Sequence, residues 1–514
     1  MLKIKKSTLG IFASITAIAL TSCGKKKDVV FWSSFGAKYT GILNNIVEDI
    51  SKDLNISIDH VSKGSYPGIL KEMVYSYGTG KYPSIAIGYP DHFAQHHGSK
   101  ILRSLDEYVT DDILKDYDSN YMPENYLYDT DGTKHLYGVP FNKSTEVLGY
   151  NGVFVDYVAE KNADASLKVL PTTWTEWAQA NDASTKAGKY LAAFNDLIDR
   201  KVKLYATQNE EGTASGFVEA PADGKILVLD YSNVDKNLTK LMTWDSTDNA
   251  FITLVRQWDA KYTTLPADQY EIHPKQRQGK VLFANDENLP KTRNMLKFFN
   301  GMYKNGIFGT PADVGGSFSS DAFAEGRVMF MVCSSGGLSY NTDNWEKRFR
   351  IAPIPYSDAD HKYVISQGAN ICMTKNGDAN KSFQVIKALT TGKYQTRWAI
   401  ETGYFPASAT AEDSTEYQTF MNGTDYSNRT VVAYREGAKV NYQHYRLGGW
   451  NRFVDDAFIG SATVRSLVGS IIPNAFKNVD DVEDDAGYNN VIKQILKDPQ
   501  IANNLNIAVD SRLV

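Results

Sequence analysis

Apolar and polar positions in the first part of the chain follow two different spacings. In 29–36, apolar residues run together and end in a polar loop, which is typical of a short buried strand. In 39–54, the apolar residues fall on one helical face: Ile42, Leu43, Ile46, Val47, Ile50 and Leu54. A second helix is predicted from about Pro67 to Tyr77, and a buried strand over 82–90. This alternation predicts an α/β domain with a largely parallel sheet.

The segment YGVPFNKSTEVLGYN, residues 137–151, reads as a strand with an unusual centre. Apolar residues flank four polar ones, from Asn142 to Thr145. Polar side chains in the core of a sheet cost free energy unless they are paired. The pattern therefore raises the question of what this strand faces.

Further elements are predicted along the rest of the chain. Strands are expected at 222–232 (in an inserted hairpin), 327–335, 349–356 and 363–374. Helices are expected from 171–184 (with Thr172 or Thr173 as N-cap), near 249–261 and 290–305, at 381–389, around 394–402 and through the C-terminal part. An acidic cluster, Asp480 to Asp485, lies near a predicted helix start, where negative charge is favoured.

The first 22 residues have the pattern of an export signal. Lysines 3, 5 and 6 precede an apolar run that ends at Leu20 and is too short to span a membrane. Small residues before Cys23 resemble a bacterial lipobox, in which that cysteine is diacylated; an ordinary cleavage site is the alternative. We expect a signal peptide over 1–22, a polar tether over 23–28, and a lipid anchor in the cell membrane that faces the extracellular or periplasmic side.

Composition narrows the class of protein. A chain of 514 residues implies two or more domains, and a net charge of −5 without a basic stripe argues against nucleic-acid binding. Beyond Cys23, only Cys333 and Cys372 remain. They suit a single disulfide or, as we predict, two buried free thiols. The chain is rich in tyrosine, with 31 residues, and such rings suit both cores and clefts that hold polar ligands.

No catalytic or metal-binding signature stands out. His92 and His96 are four residues apart but have no HExxH pattern and no evident third ligand, so exposed surface histidines are predicted. GTGK (78–81) lacks the phosphate-loop spacing, and no GxSxG is present. Carboxylates are too numerous to select an acid pair, so a glycosidase stays open. No cofactor and no metal are predicted.

Several short polar segments combine glycine, hydroxyl residues, tyrosine or arginine beside apolar strands. They are KGSY, PFNKST, CSSGG, SQGAN, TGYFPAS and YRLGGWN. Each is also typical of a turn or a capped strand end. Together they would suit one cleft that binds a polar solute, because glycine admits close backbone approach and the side chains supply donors and acceptors.

These segments, in this order, resemble a known family. With VVFWSSFG, GSYPGILKEMVYSYGTGKYPSIAIG, PTTWTEW and FAEGRVMFMVCSSGG, they are similar to the extracellular solute-binding proteins of sugar-type ABC importers, the maltose-binding-like group. The closest likeness is to glycerol-3-phosphate and glycerophosphodiester binders. The resemblance implies a periplasmic-binding-protein-like α/β fold, with two lobes joined by crossing strands around a central cleft; the segment 137–151 would be the first crossing, with its polar centre facing the cleft. It also implies an ABC permease as partner, and no enzymatic activity.

The resemblance also implies lobe boundaries and site residues. Lobe 1 would comprise 29–143 and about 368–403, and lobe 2 about 144–367 and 404–514, which separates the two cysteines. The ligand contacts would be Tyr66, Ser144, Ser335 (or Ser334, one register away), Gly368, Tyr404 and Arg446. Arg446 would hold a phosphate, if the solute has one. The structural alternatives are a salt bridge for Arg446, core packing for the tyrosines and strand-end caps for the serines.

The chain departs from the subgroup at one site position. A glutamate that would grip glycerol hydroxyls is replaced by Pro90, with Asp91 as its neighbour, and extra sequence occurs around 196–240. The solute is therefore left as a glycerol phosphate, a sugar phosphate or an oligosaccharide; the last would stack on Trp258 or Trp450, unless those rings are core residues. A secreted hydrolase of glycans or phosphodiesters is the alternative function, and a surface adhesin is a third.

Overall fold

The computed structural model describes residues 27–128, 133–264, 279–342, 349–505 and 507–509. Cys23 and the predicted signal peptide lie outside the described residues. The strands are β1 Val29–Ser33, β2 Ile58–Ser62, β3 Ile85–Gly88, β4 Tyr126–Tyr128, β5 Lys134–Leu136, β6 Gly138–Asn151, β7 Lys203–Gln208, β8 Ala214–Val218, β9 Ile226–Asp230, β10 Lys240–Trp244, β11 Thr263–Thr264, β12 Gly279–Val281, β13 Phe308–Gly309, β14 Val328–Ser334, β15 Phe349–Ala352, β16 Tyr363–Met373, β17 Asn451–Phe453 and β18 Ile507–Ala508.

The α-helices connect these strands and form most of the C-terminal part. They are α1 Ala37–Leu54, α2 Tyr66–Ser76, α3 Pro90–Gly98, α4 Asp111–Asp116, α5 Gly152–Lys161, α6 Trp174–Ala178, α7 Lys186–Asp199, α8 Thr247–Gln257, α9 Leu289–Lys304, α10 Ser320–Ala324, α11 Leu338–Thr342, α12 Ala379–Thr390, α13 Gly392–Thr402, α14 Ala409–Glu412, α15 Thr415–Met421, α16 Arg429–Lys439, α17 Ser461–Val468, α18 Ile471–Asn478, α19 Asp485–Leu496 and α20 Pro499–Ala502. No helix among the described residues combines the length and apolar character that a membrane crossing requires.

The N-terminal elements form the predicted parallel α/β unit. Strand β1 pairs in parallel with both β2 and β3. Helix α1 buries the predicted apolar face and ends at Asn55, whose left-handed backbone (φ 52°) breaks the helix. Helix α2 begins next to the predicted start, because the Ser65 side chain accepts a 3.1 Å hydrogen bond from the backbone of Gly68 and caps the helix. Local sequence signals thus set the C-terminal end of α1 and the N-terminal end of α2.

A second α/β unit is built on β10, β13 and β14. Strand β10 pairs in parallel with β13 and β14. Helix α6 begins at a capping box in which Thr173 and Glu176 bond each other's backbone, so Thr173 is the N-cap. The first turn places Trp174 and Trp177 in the core of this unit, where both rings are fully buried. Strands β8, β7 and β9 form a small antiparallel sheet in the extra sequence around 196–240.

Two long antiparallel strands, β6 and β16, connect the units. The first half of β6, up to Thr145, pairs with β16. The second half, from Glu146 onward, pairs with β14 and β15. Strand β16 also pairs with β3, so the strand order runs from one unit to the other without a break. The polar centre of β6 therefore lies at the point where the strand changes partners.

The buried apolar residues divide into two main cores at this same point. In β6, the first core ends at Phe141 and the second begins at Val147; in β16, the second core ends at Ile365 and the first resumes at Ala369. The molecule thus has two α/β lobes joined by crossing strands, as the resemblance implied. The polar residues of both strands occupy the gap between the lobes' cores, which explains why a buried strand has a polar centre.

Both cysteines and the acidic cluster match their predictions. Cys333 and Cys372 are buried, free thiols in different cores. The acidic cluster precedes α19, whose N-cap is Asp484; its side chain accepts a 2.9 Å hydrogen bond from the backbone of Gly487. Negative charge at this position is stabilised by the helix dipole.

Candidate ligand-binding cleft

The polar centre of β6 is fixed by internal hydrogen bonds. Lys143 Nζ donates to Glu124 and, over 3.1 Å, to the carbonyl oxygen of Gly368. Thr145 Oγ1 donates to the carbonyl oxygen of Ile365 at 2.7 Å. All four residues from Asn142 to Thr145 are buried. Two of these four polar side chains therefore hold β6 against β16 and its surroundings at the crossing.

Ser144 and Ser335 lie on either side of this crossing but differ in their contacts. Ser335 Oγ accepts a 3.1 Å hydrogen bond from the backbone of Thr145, which ties the turn after β14 to β6. The neighbouring Ser334 caps that turn by accepting from the backbone of Gly336 at 3.2 Å. Ser144 is buried, and its hydroxyl has no hydrogen-bond partner among the described residues. Ser334 and Ser335 each accept a backbone hydrogen bond, whereas Ser144 does not; none of the three borders the cavities described below.

Tyr66 and Tyr404 meet through Asn142. Tyr66 OH accepts a 3.1 Å hydrogen bond from Asn142 Nδ2, and Asn142 also contacts the Tyr404 hydroxyl. The Tyr404 ring stacks on Trp398, with centroids 5.9 Å apart. Burial raises the pKa of both phenols above the ordinary value, so each stays neutral and can donate a hydrogen bond. The structure thus places both predicted tyrosines in one polar–aromatic cluster at the crossing.

Gly368 is required by its backbone at the crossing. Its φ of +112° is unfavourable for residues with side chains, and an added Cβ would lie only 1.9 Å from the carbonyl oxygen of Asn142. The residue borders a cavity of about 480 Å³. Its carbonyl holds Lys143, so it has a structural role as well as a position facing the cavity.

A cavity of about 480 Å³ lies between the lobes. Residues from both sides of the crossing line it, among them Tyr89, Asp91, Glu124, Ser246, Asp248, Asn249, Tyr262, Gln367, Gly368, Asp455 and Arg465. Its size is within the usual range of small-molecule sites, and its wall mixes aromatic and hydrogen-bonding groups. We call it the main cavity.

Arg465 in the main cavity is already engaged by acidic and amide groups. Its Nε lies 3.1 Å from Asp248 Oδ2, and its terminal nitrogens contact Asp455 and Asn249. Its charge is therefore matched within the protein. A ligand would meet a closed ion-pair network here and not a free guanidinium.

Two smaller cavities continue the main cavity along the cleft. A middle cavity of about 280 Å³ shares Glu124, Asp455 and Asp456 with the main cavity. An end cavity of about 410 Å³ shares Ser119, Asn120 and Arg452 with the middle one. Shared walls make the three cavities one row, with the end cavity farthest from Arg465.

Arg446 borders the end cavity and not the main one. Its guanidinium forms an ion pair with Glu412, and its side chain is 31% exposed. Arg452, which borders the same cavity, pairs with both oxygens of Asp118 at 2.8 and 3.3 Å. The structure therefore places five of the six predicted ligand contacts around the crossing and Arg446 at the end cavity. Of the five, Gly368 borders the main cavity, and Tyr66, Ser144, Ser335 and Tyr404 border none of the three cavities.

Several residues of the main cavity were not predicted. Tyr89, Glu124 and Arg465 lie outside every polar segment identified in the sequence. Arg465 stands within the largely apolar helix α17, and a single arginine on such a helix was the available signal. Glu124 belongs to a 3-10 turn, Pro123–Asn125, that has no recognisable pattern. Asp91, which was noted beside Pro90, does border the cavity.

The prediction of exposed histidines at 92 and 96 was wrong. Both residues lie on α3 and are buried, His96 almost completely. Burial lowers the pKa of His96 to about 3, so its ring is neutral, and it bonds the hydroxyl of Tyr77 at 2.5 Å. The residues pack because α3 covers the first core next to β3. Within the described residues, no group of three or more metal-binding side chains occurs.

The two tryptophans considered as stacking platforms are packing residues. Trp258 lies 5.3 and 5.4 Å from the rings of Phe298 and Phe299. Trp450 contacts Tyr445 at 4.9 Å. Neither ring borders the main, middle or end cavity.

Two α/β lobes around a shared cleft define the periplasmic-binding-protein class of fold. A family model for bacterial extracellular solute-binding proteins matches residues 45–422. Because this match covers most of the chain, the protein belongs to that family. The predictions of fold class and family are thereby confirmed.

Individual relatives agree with this assignment. The sn-glycerol-3-phosphate-binding periplasmic protein UgpB of Pectobacterium atrosepticum is 24% identical over 436 residues, which cover 82% of this chain and 83% of the relative. The structure of UgpB from Mycobacterium tuberculosis with glycerophosphocholine has a TM-score of 0.61 at 14% identity and covers 91% of this chain and 97% of its own. The sugar-binding protein MalE from Xanthomonas citri has a TM-score of 0.62 at 14% identity, with 92% and 97% covered.

Proposed function

We propose that the protein is the substrate-binding lipoprotein of an ABC importer. In this role it captures a small hydroxylated solute, of the glycerol-phosphate type or a carbohydrate, between its lobes and delivers it to the permease. The observation that carries the proposal is the main cavity of about 480 Å³, walled from both lobes and backed by the crossing strands. Closure of two lobes about such a crossing sequesters a solute from water.

The proposed ligand contacts are those around the crossing. Gly368 borders the main cavity and would contact the solute directly, whereas Tyr66, Ser144 and Tyr404 border none of the three cavities and would contact the solute only on closure of the lobes. Ser335 would act mainly by fixing Thr145, since its hydroxyl already accepts a backbone hydrogen bond. Arg446 would contact a phosphate only if the solute extends to the end cavity.

A purely binding role is favoured over catalysis. The relatives described above are named as binding proteins. No observation favours the secreted hydrolase.

Anchoring by a lipid on Cys23 is part of the proposal. The sequence around that residue has the lipobox pattern, and 23–28 would form the tether. A Cys23→Ser variant expressed in a bacterial host should leave the membrane fraction and appear in the soluble fraction. Retention in the membrane fraction would contradict lipid anchoring.

A ligand screen tests the binding function. Purified protein would be mixed with neutral saccharides, polyols, sn-glycerol 3-phosphate and glycerophosphocholine; melting temperature and solute mass would both be followed. We expect one solute class to raise the melting temperature by several degrees and to remain chemically intact. Steady conversion of a solute to products would overturn the proposal in favour of a hydrolase.

A further inference from the structure

Glu124 is a buried carboxylate with one oxygen occupied and one open. Oε1 accepts hydrogen bonds from Lys143 Nζ and, at 2.9 Å, from Asn370 Nδ2. Oε2 receives no hydrogen bond from any described residue, and it is not among the sealed polar atoms that lack a partner. The residue is 5% exposed and borders both the main and the middle cavity. Its free oxygen therefore faces the space that a solute would fill.

Glu124 could replace the glutamate that this chain lacks at position 90. The resemblance had placed a hydroxyl-binding glutamate after β3, where this chain has Pro90. Pro90 and Glu124 border the same main cavity, although they come from different elements. A carboxylate at Glu124 is thus available to the same cavity, held in one orientation by Lys143 and Asn370. Fixed acceptors of this kind bind hydroxyl donors with little loss of side-chain entropy.

The charges around the main cavity disfavour an anion. Five carboxylates border it: Asp91, Glu124, Asp248, Asp455 and Asp456. The one arginine on this wall, Arg465, is paired with Asp248 and Asp455. A phosphate here would face carboxylates without a free cation to offset them, and like charges in a partly buried site repel strongly.

A donor is available beside Glu124 in the middle cavity. Arg256 borders that cavity and forms no ion pair with any described carboxylate; its guanidinium lies 4.4 Å from the ring centre of Phe453. Its Nε is sealed without a partner, but its terminal nitrogens are not among the sealed atoms and donate no hydrogen bond to any described residue, so they are the available donors. A hydroxyl group both donates and accepts, so an acceptor and a donor on one cavity suit a sugar or polyol.

We propose that Glu124 is the specificity-determining residue of the cleft. Its Oε2 accepts hydrogen bonds from the hydroxyls of an uncharged sugar or polyol unit, and the surrounding carboxylates exclude phosphate from the main cavity. This inference rests on the proposed solute-binding function and narrows its solute class.

The test compares binding of neutral and phosphorylated probes. Calorimetric titration would use a panel of neutral mono- to tetrasaccharides and polyols, sn-glycerol 3-phosphate, glycerophosphocholine and inorganic phosphate. We expect a neutral probe to bind most tightly, and Glu124→Gln to weaken that binding by about 10- to 100-fold. Asp156→Asn is the matched control: it removes a buried carboxylate paired with Lys168 at 2.9 Å, away from the three cavities, and should leave affinity unchanged.

The titration results can contradict the role of Glu124 without contradicting the proposed solute-binding function. Tighter binding of any phosphorylated probe than of every neutral one would overturn the inference and keep the binding function. No binding by any probe would overturn both. If Glu124→Gln does not fold, Glu124→Asp retains the charge and withdraws the oxygen by about one C–C bond. Wild-type affinity in whichever of these variants folds would show that Glu124 does not contact the solute.

Discussion

Two buried glutamates lie close to the crossing but have opposite surroundings. Glu124, beside the first core, is paired with Lys143 and opens one oxygen to the cleft. Glu146, the next residue after the polar centre of β6, has no ion pair among the described residues. It instead accepts a 2.6 Å hydrogen bond from Trp244 Nε1 and a 3.2 Å bond from Thr253. One carboxyl faces a cavity, and the other is enclosed in the second lobe.

The difference lies in charge. Burial raises the pKa of Glu146 to about 8, so this carboxyl is largely protonated at neutral pH. Glu124 instead has Lys143 in hydrogen-bond contact; burial lowers the pKa of this lysine, and the neighbouring carboxylate opposes that shift, so the two groups support each other's charge. The comparison shows that the carboxyl facing the cleft has a charged partner and an oxygen open to a cavity, while the enclosed carboxyl serves as a neutral packing and hydrogen-bonding group.

Removing the cation that supports Glu124 should have the largest effect. Lys143→Met leaves the carboxylate buried without a charged partner, which is expected to lower the free energy of unfolding by about 3–5 kcal/mol. Urea denaturation at neutral pH measures this. Lys52→Met is the control: its ion pair with Glu48 is 65% exposed on both sides, so its loss should change the free energy of unfolding little. Equal losses in both variants would show that the Lys143 pair contributes no more than a surface pair.

The second prediction concerns the pH dependence that Glu146 imposes. The folded state keeps this proton up to about pH 8, whereas the ordinary value is 4.5. Stability from Glu146 is therefore present at low pH and is lost as pH rises from about 4.5 toward 8, by up to about 1.4 kcal/mol per pH unit. Glu146→Gln should remove this slope because the amide is neutral throughout.

Urea denaturation of wild type and Glu146→Gln at several pH values from 5 to 9 measures this difference. Glu48→Gln, an exposed substitution on α1, should keep the wild-type slope. Parallel curves for wild type and Glu146→Gln would mean that Glu146 is charged in the folded protein, and the contrast with Glu124 would fail.

The smallest expected effect is that of Arg446 on a neutral solute. Arg446 lies at the end cavity in an ion pair with Glu412, so Arg446→Ala should change the affinity for the best neutral probe by about threefold or less. A phosphorylated probe held by Arg446 would instead lose affinity on the order of 100-fold. Calorimetric titration of both probe types distinguishes the two cases. A large, equal loss for both would assign Arg446 a structural role.

Much of the fold could be predicted because local patterns and burial agree. Helix α1 and strands β1, β3 and β14 lie where apolar spacing placed them, since each buries one face or a continuous run. The polar centre of β6 was visible, and the resemblance correctly assigned it to a crossing. The hydrogen bonds of this polar centre could not be predicted, because Lys143 and Thr145 have their partners on β16 and on a turn more than ten residues away.

The cavity wall was harder to predict than the fold. Glu124, Asp248 and Arg465 come from three distant elements, and no local pattern marks their meeting. The position of Arg446 depends on its ion pair with Glu412, which sequence spacing does not reveal. His92 and His96 were predicted wrongly because helix spacing shows which face they share but not which side of α3 is covered.

The partner change of β6 has a consequence for how this molecule tolerates insertions and deletions. Side chains alternate between faces along a strand, and β6 is registered against β16 before Glu146 and against β14 and β15 after it. Adding or removing one residue between Asn142 and Glu146 would turn every later side chain of the strand to the opposite face. The length of this segment is therefore fixed. The sheet of β7 to β9 pairs only within itself and has no such constraint, so variation in chain length is expected there.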